Sequence, residues 1–261
     1  MTEICTDAGQ DLNGDGTYVI GEDVFAMGID GVILRSMQSS LGLQAISLGE
    51  DGYPVVNTLS EKMSYAVDTL HAFLNQNKAV SYDDLFCNNP EKAGAYFAAD
   101  QILFFMTRMD SVSYMRDMES DFAILPFPKL DTNQENYLTQ IATATHMSYI
   151  PTTTNDAALT GKVCEAMSYY SYKNIVPAYY EVSLKNKYSR DENTQKMLDI
   201  IRSGAVMPFE YAFSTVIAGN PWPNELLVTA IVEDGQIASL IASGQKAWET
   251  AIDKLMASFQ E

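Results

Sequence analysis

Apolar positions recur along this chain with two different spacings. Between Ser60 and Asn75, the residues Met63, Ala66, Val67, Leu70, Phe73 and Leu74 fall at the i, i+3, i+4, i+7 spacing of one helical face, and Ser60 stands where an N-cap belongs. Asn155 to Tyr172 repeats the pattern, with Leu159, Val163, Ala166, Met167 and Tyr170 on one stripe. Short apolar runs interrupt these helices: Val24–Ile33, Gln101–Met106 and Asp121–Leu125 read as buried strands or short buried segments. The last is closed by Pro126-Phe127-Pro128, whose prolines cannot donate to a ladder. Ser36–Leu48 reads as a helix running into a strand, Glu50–Pro54 as a turn, and Ala142–Ile150 as a Thr-rich, β-prone stretch. Further helices are expected at Pro90–Ala99, Ser111–Met118, Pro177–Tyr188, Glu192–Ser203, Leu226–Ile231, Gln236–Ser243 and Gln245–Phe259. Helices alternating with a few short strands make an α/β protein, with too few strands for a closed barrel.

Composition narrows what such a protein does. The chain has 261 residues, 47% apolar and 19% charged, which is enough for a real core and unlike a disordered chain. Lys and Arg number 16 against 34 Asp and Glu, a net charge of −18. That balance excludes sequence-independent nucleic-acid binding and attraction to anionic membrane surfaces, both of which rely on cationic side chains. Cys5, Cys87 and Cys164 are scattered, so neither a disulfide framework nor a zinc ribbon is readable. No apolar run reaches the length of a membrane span, and the first residues lack the pattern of a signal peptide. Taken alone, those termini point to the cytosol.

One local motif is sharp. Residues 11–22 satisfy D-x-[DN]-x-[DN]-G-x5-E, with Asp11, Asn13, Asp15, the carbonyl of Thr17 and Glu22 as oxygen donors for Ca²⁺ and Gly16 at the sharp turn. The same residues also suit a metal-free loop held by its own Asx turns. No nucleophile elbow, phosphate loop, dinucleotide fingerprint or zinc-protease motif occurs. His71, on the polar side of its helix beside Asp68, reads as a solvated residue, and His146 as a core or hinge histidine. The pairs Asp83-Asp84 and Glu233-Asp234 read as solvated, so no acid–base machinery is assembled and no enzyme is expected. Aromatic residues do stand in loops: Tyr114, Tyr149, Phe209, Tyr211, Phe213 and Trp222. Rings beside Asn, Asp and Glu are what a sugar site uses, because pyranose C–H faces stack on rings while hydroxyls need polar partners. A loop ring that merely anchors its own domain is the alternative.

Several segments, taken in order, carry a family resemblance. They are the NGDG loop leading to Glu22-Asp23-Val24-Phe25-Ala26-Met27, then Leu59-Ser60-Glu61-Lys62 before its helix, and Tyr96–Phe104 before a buried strand. Arg116–Lys129, ending in Pro-Phe-Pro-Lys, is the most specific; Tyr149-Ile150-Pro151, Lys185–Glu192 and Met197–Ile201 follow. Together they resemble the extracellular solute-binding proteins, family 1 of the sugar type, that serve ATP-binding-cassette importers.

The resemblance implies a periplasmic-binding-protein-like fold of type II. It also implies that the chain is the C-terminal portion of such a protein, without the N-terminal lobe and signal peptide. Residues 1–137 would form the first part of the second lobe, 138–188 the hinge return with a strand–helix part of the first lobe, and 189–261 the C-terminal helices of the second lobe. It implies a sugar or oligosaccharide ligand held in an interlobe cleft by Trp222, Tyr114, Tyr149, Arg116 and Phe209, and docking on permease subunits. The location becomes extracellular and lipid-anchored in the full-length form, which reverses the cytosolic expectation. The rival readings are a calcium-binding interaction domain and a carboxylate-dependent hydrolase.

Overall fold

A computed structural model describes residues 2–29, 31–81, 89–115, 117–142, 149–179, 192–232 and 236–259. Its centre is a three-stranded parallel sheet in which β1 (Phe25–Ile29) lies between β4 (Val80–Ser81) and β5 (Ile102–Met106). Met27 stands opposite Val80 on one side and Phe104 on the other. All five β1 residues are buried, as an inner parallel strand covered on both faces requires. The strand is shorter than the apolar run suggests, because α2 (Gly31–Ser40) takes over its second half. Helix α1 (Thr2–Ala8) packs on β1 through the buried Cys5. An antiparallel hairpin, β2 (Ile46–Leu48) and β3 (Pro54–Val56), follows α2 and turns through Gly52 at φ +78°.

Helix α3 (Glu61–Gln76) follows its pattern closely. Ser60 Oγ accepts from Met63 N at 3.1 Å, and the six stripe residues are all buried. His71 departs from the solvated reading: its Nδ1 lies 2.7 Å from the carbonyl of Ile231. Asn75 Nδ2 donates to that carbonyl at 3.3 Å. Both side chains thereby satisfy the end of a second helix, α8 (Leu226–Val232), whose last carbonyls have no partner within the helix. Helix α4 (Pro90–Ala98), capped by Asn89 on Lys92 N, leads into β5. Residues 109–115 form a 3₁₀ turn (Met109–Met115) where a longer helix was expected.

Three expectations need correction. Residues 121–125 make no ladder; with Pro126 and Pro128 beside them the segment runs as an irregular strap without strand partners. The last two expected helices are one, α9 (Ile237–Ala257), which passes straight through Gly244 because that glycine is where the Trp248 indole lies. Helix α5 (Ala157–Tyr170), capped by Asp156 on Leu159 N at 2.8 Å, continues as helical backbone to Tyr179 through a wide π turn at Ser171–Ile175. Pro177, which has no N–H to donate, follows that turn. The expected β stretch at 142–150 and helix at 177–188 fall mostly outside the described residues, as does His146.

A second, two-stranded parallel sheet pairs β6 (Thr139–Gln140) with β7 (Ala205–Val206), reached from α6 (Glu192–Ser203). Gly204 is required at this crossing, because a Cβ there would come within 2.0 Å of the Tyr137 carbonyl oxygen. Short helix α7 (Phe209–Ala212) and a 3₁₀ turn at Pro223–Glu225 then bring the chain to α8. The main core gathers β1, α2, α3, α8 and α9, with Trp248 fully buried at its edge.

Candidate functional site

The parallel sheet ends at a groove. In parallel α/β sheets ligands bind beyond the carboxyl ends of the strands, where the chain leaves the sheet as loops. Here Met106 closes β5, and Thr107, Arg108, Met109 and Asp110 follow it into the groove, which holds about 540 Å³. The strap from Phe122 to Pro128 contributes a second portion of the lining. Thr139 and Gln140 of β6, Ala142, Tyr179 at the end of the α5 extension, Ile201 of α6 and Tyr211 of α7 contribute the rest. The lining thus draws on all three sequence segments, 1–137, 138–188 and 189–261.

Its surface is mostly apolar, with seven aromatic rings and four methionines among aliphatic side chains, interrupted by a few polar groups. Phe97 meets Phe122 edge-on at 6.1 Å and Phe105 at 6.0 Å between ring centroids. Arg108 Nε donates to Asp110 Oδ1 at 3.1 Å, so a cation and a carboxylate stand side by side in the lining. Gln140 is fixed in orientation: its Oε1 accepts from Ser39 Oγ, and its Nε2 donates to Ser36 Oγ at 3.4 Å. Thr139 Oγ1 is buried without a hydrogen-bond partner among the described residues. Such a lining can stack a flat apolar face and offer charged or amide partners to hydroxyls. Another depression, of about 630 Å³ along α9 near Lys246 and Lys254, is open to solvent and carries no aromatic ring.

Of the five residues expected from sequence, the four that are described lie outside the groove lining. Tyr114 belongs to the 3₁₀ turn whose Val112 and Met115 line the groove, but its own stem lies against Gly94 of α4. Phe209 stacks on Phe213 at 4.7 Å and packs on the main core. Trp222 sits ahead of the 3₁₀ turn, with its carbonyl accepting from Glu225 N at 2.9 Å and its ring partly exposed. Tyr149 is 81% exposed ahead of α5. Arg116 lies outside the described residues. None of the four described residues lines the groove. Tyr211 belongs to the loop aromatics that the sequence singles out and does line it. Arg108 and Asp110 carry one usable signal: they follow closely on an apolar run that reads as a buried strand.

The loop at 11–22 is organised around backbone amides. Asp11 accepts from Gly14 N and Gly16 N, both at 2.7 Å, Asn13 from Asp15 N at 2.9 Å, and Asp15 from Thr17 N at 2.7 Å. The amide of Gly16, joined by that of Gly14, holds the Asp11 carboxyl below the usual range. Asp23, beside the motif's Glu22, closes the loop: it is buried and accepts from Leu12 N and Val19 N at 2.9 and 2.8 Å. Among the described residues, no three His, Cys, Asp or Glu side chains are grouped so that they could hold a metal ion.

Comparison with known proteins places the fold. No protein-family model matches the sequence, and no curated protein matches it. The structure is similar to the maltose/maltodextrin-binding domain MalE from Bdellovibrio bacteriovorus bound to maltotriose, with a TM-score of 0.57 and 14% sequence identity. The similarity covers 97% of this chain and 65% of that one, so the chain spans about two thirds of its neighbour's length. This is a helix-rich α/β chain with parallel sheets and a periplasmic-binding-protein-like fold.

Proposed function

We propose that this chain is the sugar-binding part of an extracellular substrate-binding component of an ABC importer, and that the groove is part of its ligand cleft. The observation that carries the reading is a ring-lined groove at the carboxyl end of a parallel sheet, in a fold similar to that of a protein solved with maltotriose. A pyranose would lay its C–H face on Tyr211, Tyr179 or the phenylalanines, while Arg108, Asp110 and Gln140 take hydroxyls. Ligand would shift the population toward a closed cleft, and no covalent step is involved. The rival hydrolase needs two facing carboxylates, whereas Asp110 is the single carboxylate among the described lining residues.

The reading includes a further α/β segment, the counterpart of the neighbour's remaining length. Helix α5 buries none of its residues, and its stripe of Leu159, Val163 and Met167 is exposed. The β6–β7 pair is a two-stranded parallel sheet, a form that ordinarily occurs inside larger, covered sheets. A lobe that adds strands there and lies on α5 would cover both, and permease docking and a lipid anchor belong to that complete assembly. No helix among the described residues is long and apolar enough to cross a membrane.

A thermal-shift series with maltotriose, maltose and glucose tests the reading. The expected result is a concentration-dependent rise of the midpoint without sugar turnover, lost in Tyr211→Ala and Arg108→Ala. Turnover, or equal response in both variants and the parent, contradicts it. Loop 11–22 enters as a candidate Ca²⁺ clip ahead of β1, with Asp11, Asn13, Asp15, the Thr17 carbonyl and Glu22 as donors. If it is one, Ca²⁺ raises the parent's midpoint over EDTA and leaves Asp11→Ala and Glu22→Ala unmoved; equal parent midpoints in Ca²⁺ and EDTA remove it.

A further inference from the structure

Glu210 is an ionisable side chain in a place built for a neutral one. It lies in the four-residue helix α7, immediately before the groove residue Tyr211, and is 1% exposed. Its Oε1 accepts two long bonds at 3.3 Å, from Gln38 Nε2 and from the Ala45 amide. Gln38 has no freedom to adjust, because its Oε1 accepts from Leu227 N and its Nε2 also donates to the Pro223 carbonyl, both at 3.0 Å. Glu210 Oε2 has no partner among the described residues. A charge on this carboxyl would therefore sit partly on an oxygen that neither water nor a donor reaches, which penalises the ionised form.

Among the described residues, the elements packed closely on α7 carry no compensating charge. Helix α7 packs on β2, which has no titratable residue, and on the turn at 223–225, whose Glu225 is paired with Arg35 at 3.0 Å. Arg35 is also the charged residue of α2, the helix that supplies Gln38. Burial, rather than a charged neighbour, pushes the Glu210 carboxyl up to about 7.

We propose that Glu210 is a proton-sensitive clasp beside the groove wall: neutral, it stays buried between α7, α2 and β2 and keeps Tyr211 in the lining, whereas the ionised carboxylate, buried with no donor for Oε2, drives α7 to open to water. Because the proton stabilises the folded arrangement, the clasp is fully closed below the carboxyl's ordinary range near 4.5. Its stabilisation falls as pH rises and is lost once pH passes about 7. An acidic habitat would thus favour the ordered groove. The inference concerns the ligand-free protein and stands apart from which ligand the groove takes.

Hydrogen exchange at residues 208–213 against that of α3, followed from pH 5 to 8.5 and corrected for intrinsic rates, tests it in the parent and in Glu210→Gln. Protection in the parent should fall by a factor on the order of 10² over this range, while α3 keeps its protection and Glu210→Gln stays flat. Identical pH profiles in parent and variant, or equal loss in α3, overturn the clasp. Should Glu210→Gln fail to fold, the carboxyl ¹³C shift of Glu210 in the parent decides. A titration midpoint near 7 upholds it, and one near 4.5 overturns it.

Discussion

Asp23 and Glu210 show how differently two buried carboxylates can be used. Asp23 accepts from the backbone amides of Leu12 and Val19 at 2.9 and 2.8 Å, so Asp23→Ala would remove the partner of both. That loss is expected to lower stability by about 2–3 kcal/mol in urea unfolding; an unchanged midpoint would show that the loop closes by other means. Glu210 has the opposite balance, with its carboxyl raised to about 7. An acid raised in the folded state stabilises it fully below the unfolded value and loses that contribution as pH rises through the folded one. At roughly 1.4 kcal/mol per pKa unit, the parent should lose on the order of 3 kcal/mol relative to Glu210→Gln between pH 4.5 and 7, read from urea midpoints. Residue chemistry was legible where spacing decides it, as in the Asx loop at 11–22. It was not legible for Glu210, since nothing in the local pattern says that Gln38, 172 positions away, will bury it.

Among the elements, α3 and α5 carry similar stripes and meet different fates. The α3 stripe is buried under α8, while that of α5 faces outward, because periodicity reports which face seeks a partner and not whether one is present. Residues 121–125 read as a strand from their apolarity, but apolarity without a neighbour to pair with does not make a ladder. Gly244 reads from sequence as the break between two helices, yet within α9 it serves packing: a Cβ there would lie 2.3 Å from Trp248 Cζ2. The indole is pinned further by Nε1, which donates to the Pro221 carbonyl at 3.1 Å. Gly244→Ala is therefore expected to destabilise by roughly 1–3 kcal/mol despite its better helix propensity. A rise in the thermal midpoint would contradict this packing.

For the whole molecule, the α/β class and the buried strands at 25–29 and 102–106 were readable from apolar runs. The groove was not, because it forms where segments far apart in the chain converge. The loop aromatics named a chemistry, yet only contact decides which rings face a cavity: Tyr211 does, and Phe209, two residues earlier, turns to the core. The outward stripe of α5 makes its own prediction. Leu159→Ser with Met167→Ser should leave the thermal midpoint of this chain within a degree or so, since both side chains are already exposed. A large drop would mean that the stripe is covered within this chain.

The proposed function stands or falls on whether the groove takes a sugar. Titration of isotope-labelled protein with maltotriose, read residue by residue in amide spectra, tests it most directly. Saturable shifts confined to Met106–Asp110, the strap at 122–128, Gln140, Tyr179 and Tyr211 are expected. Shifts centred on Trp222 or Tyr149, or none at tens of millimolar sugar, would contradict it.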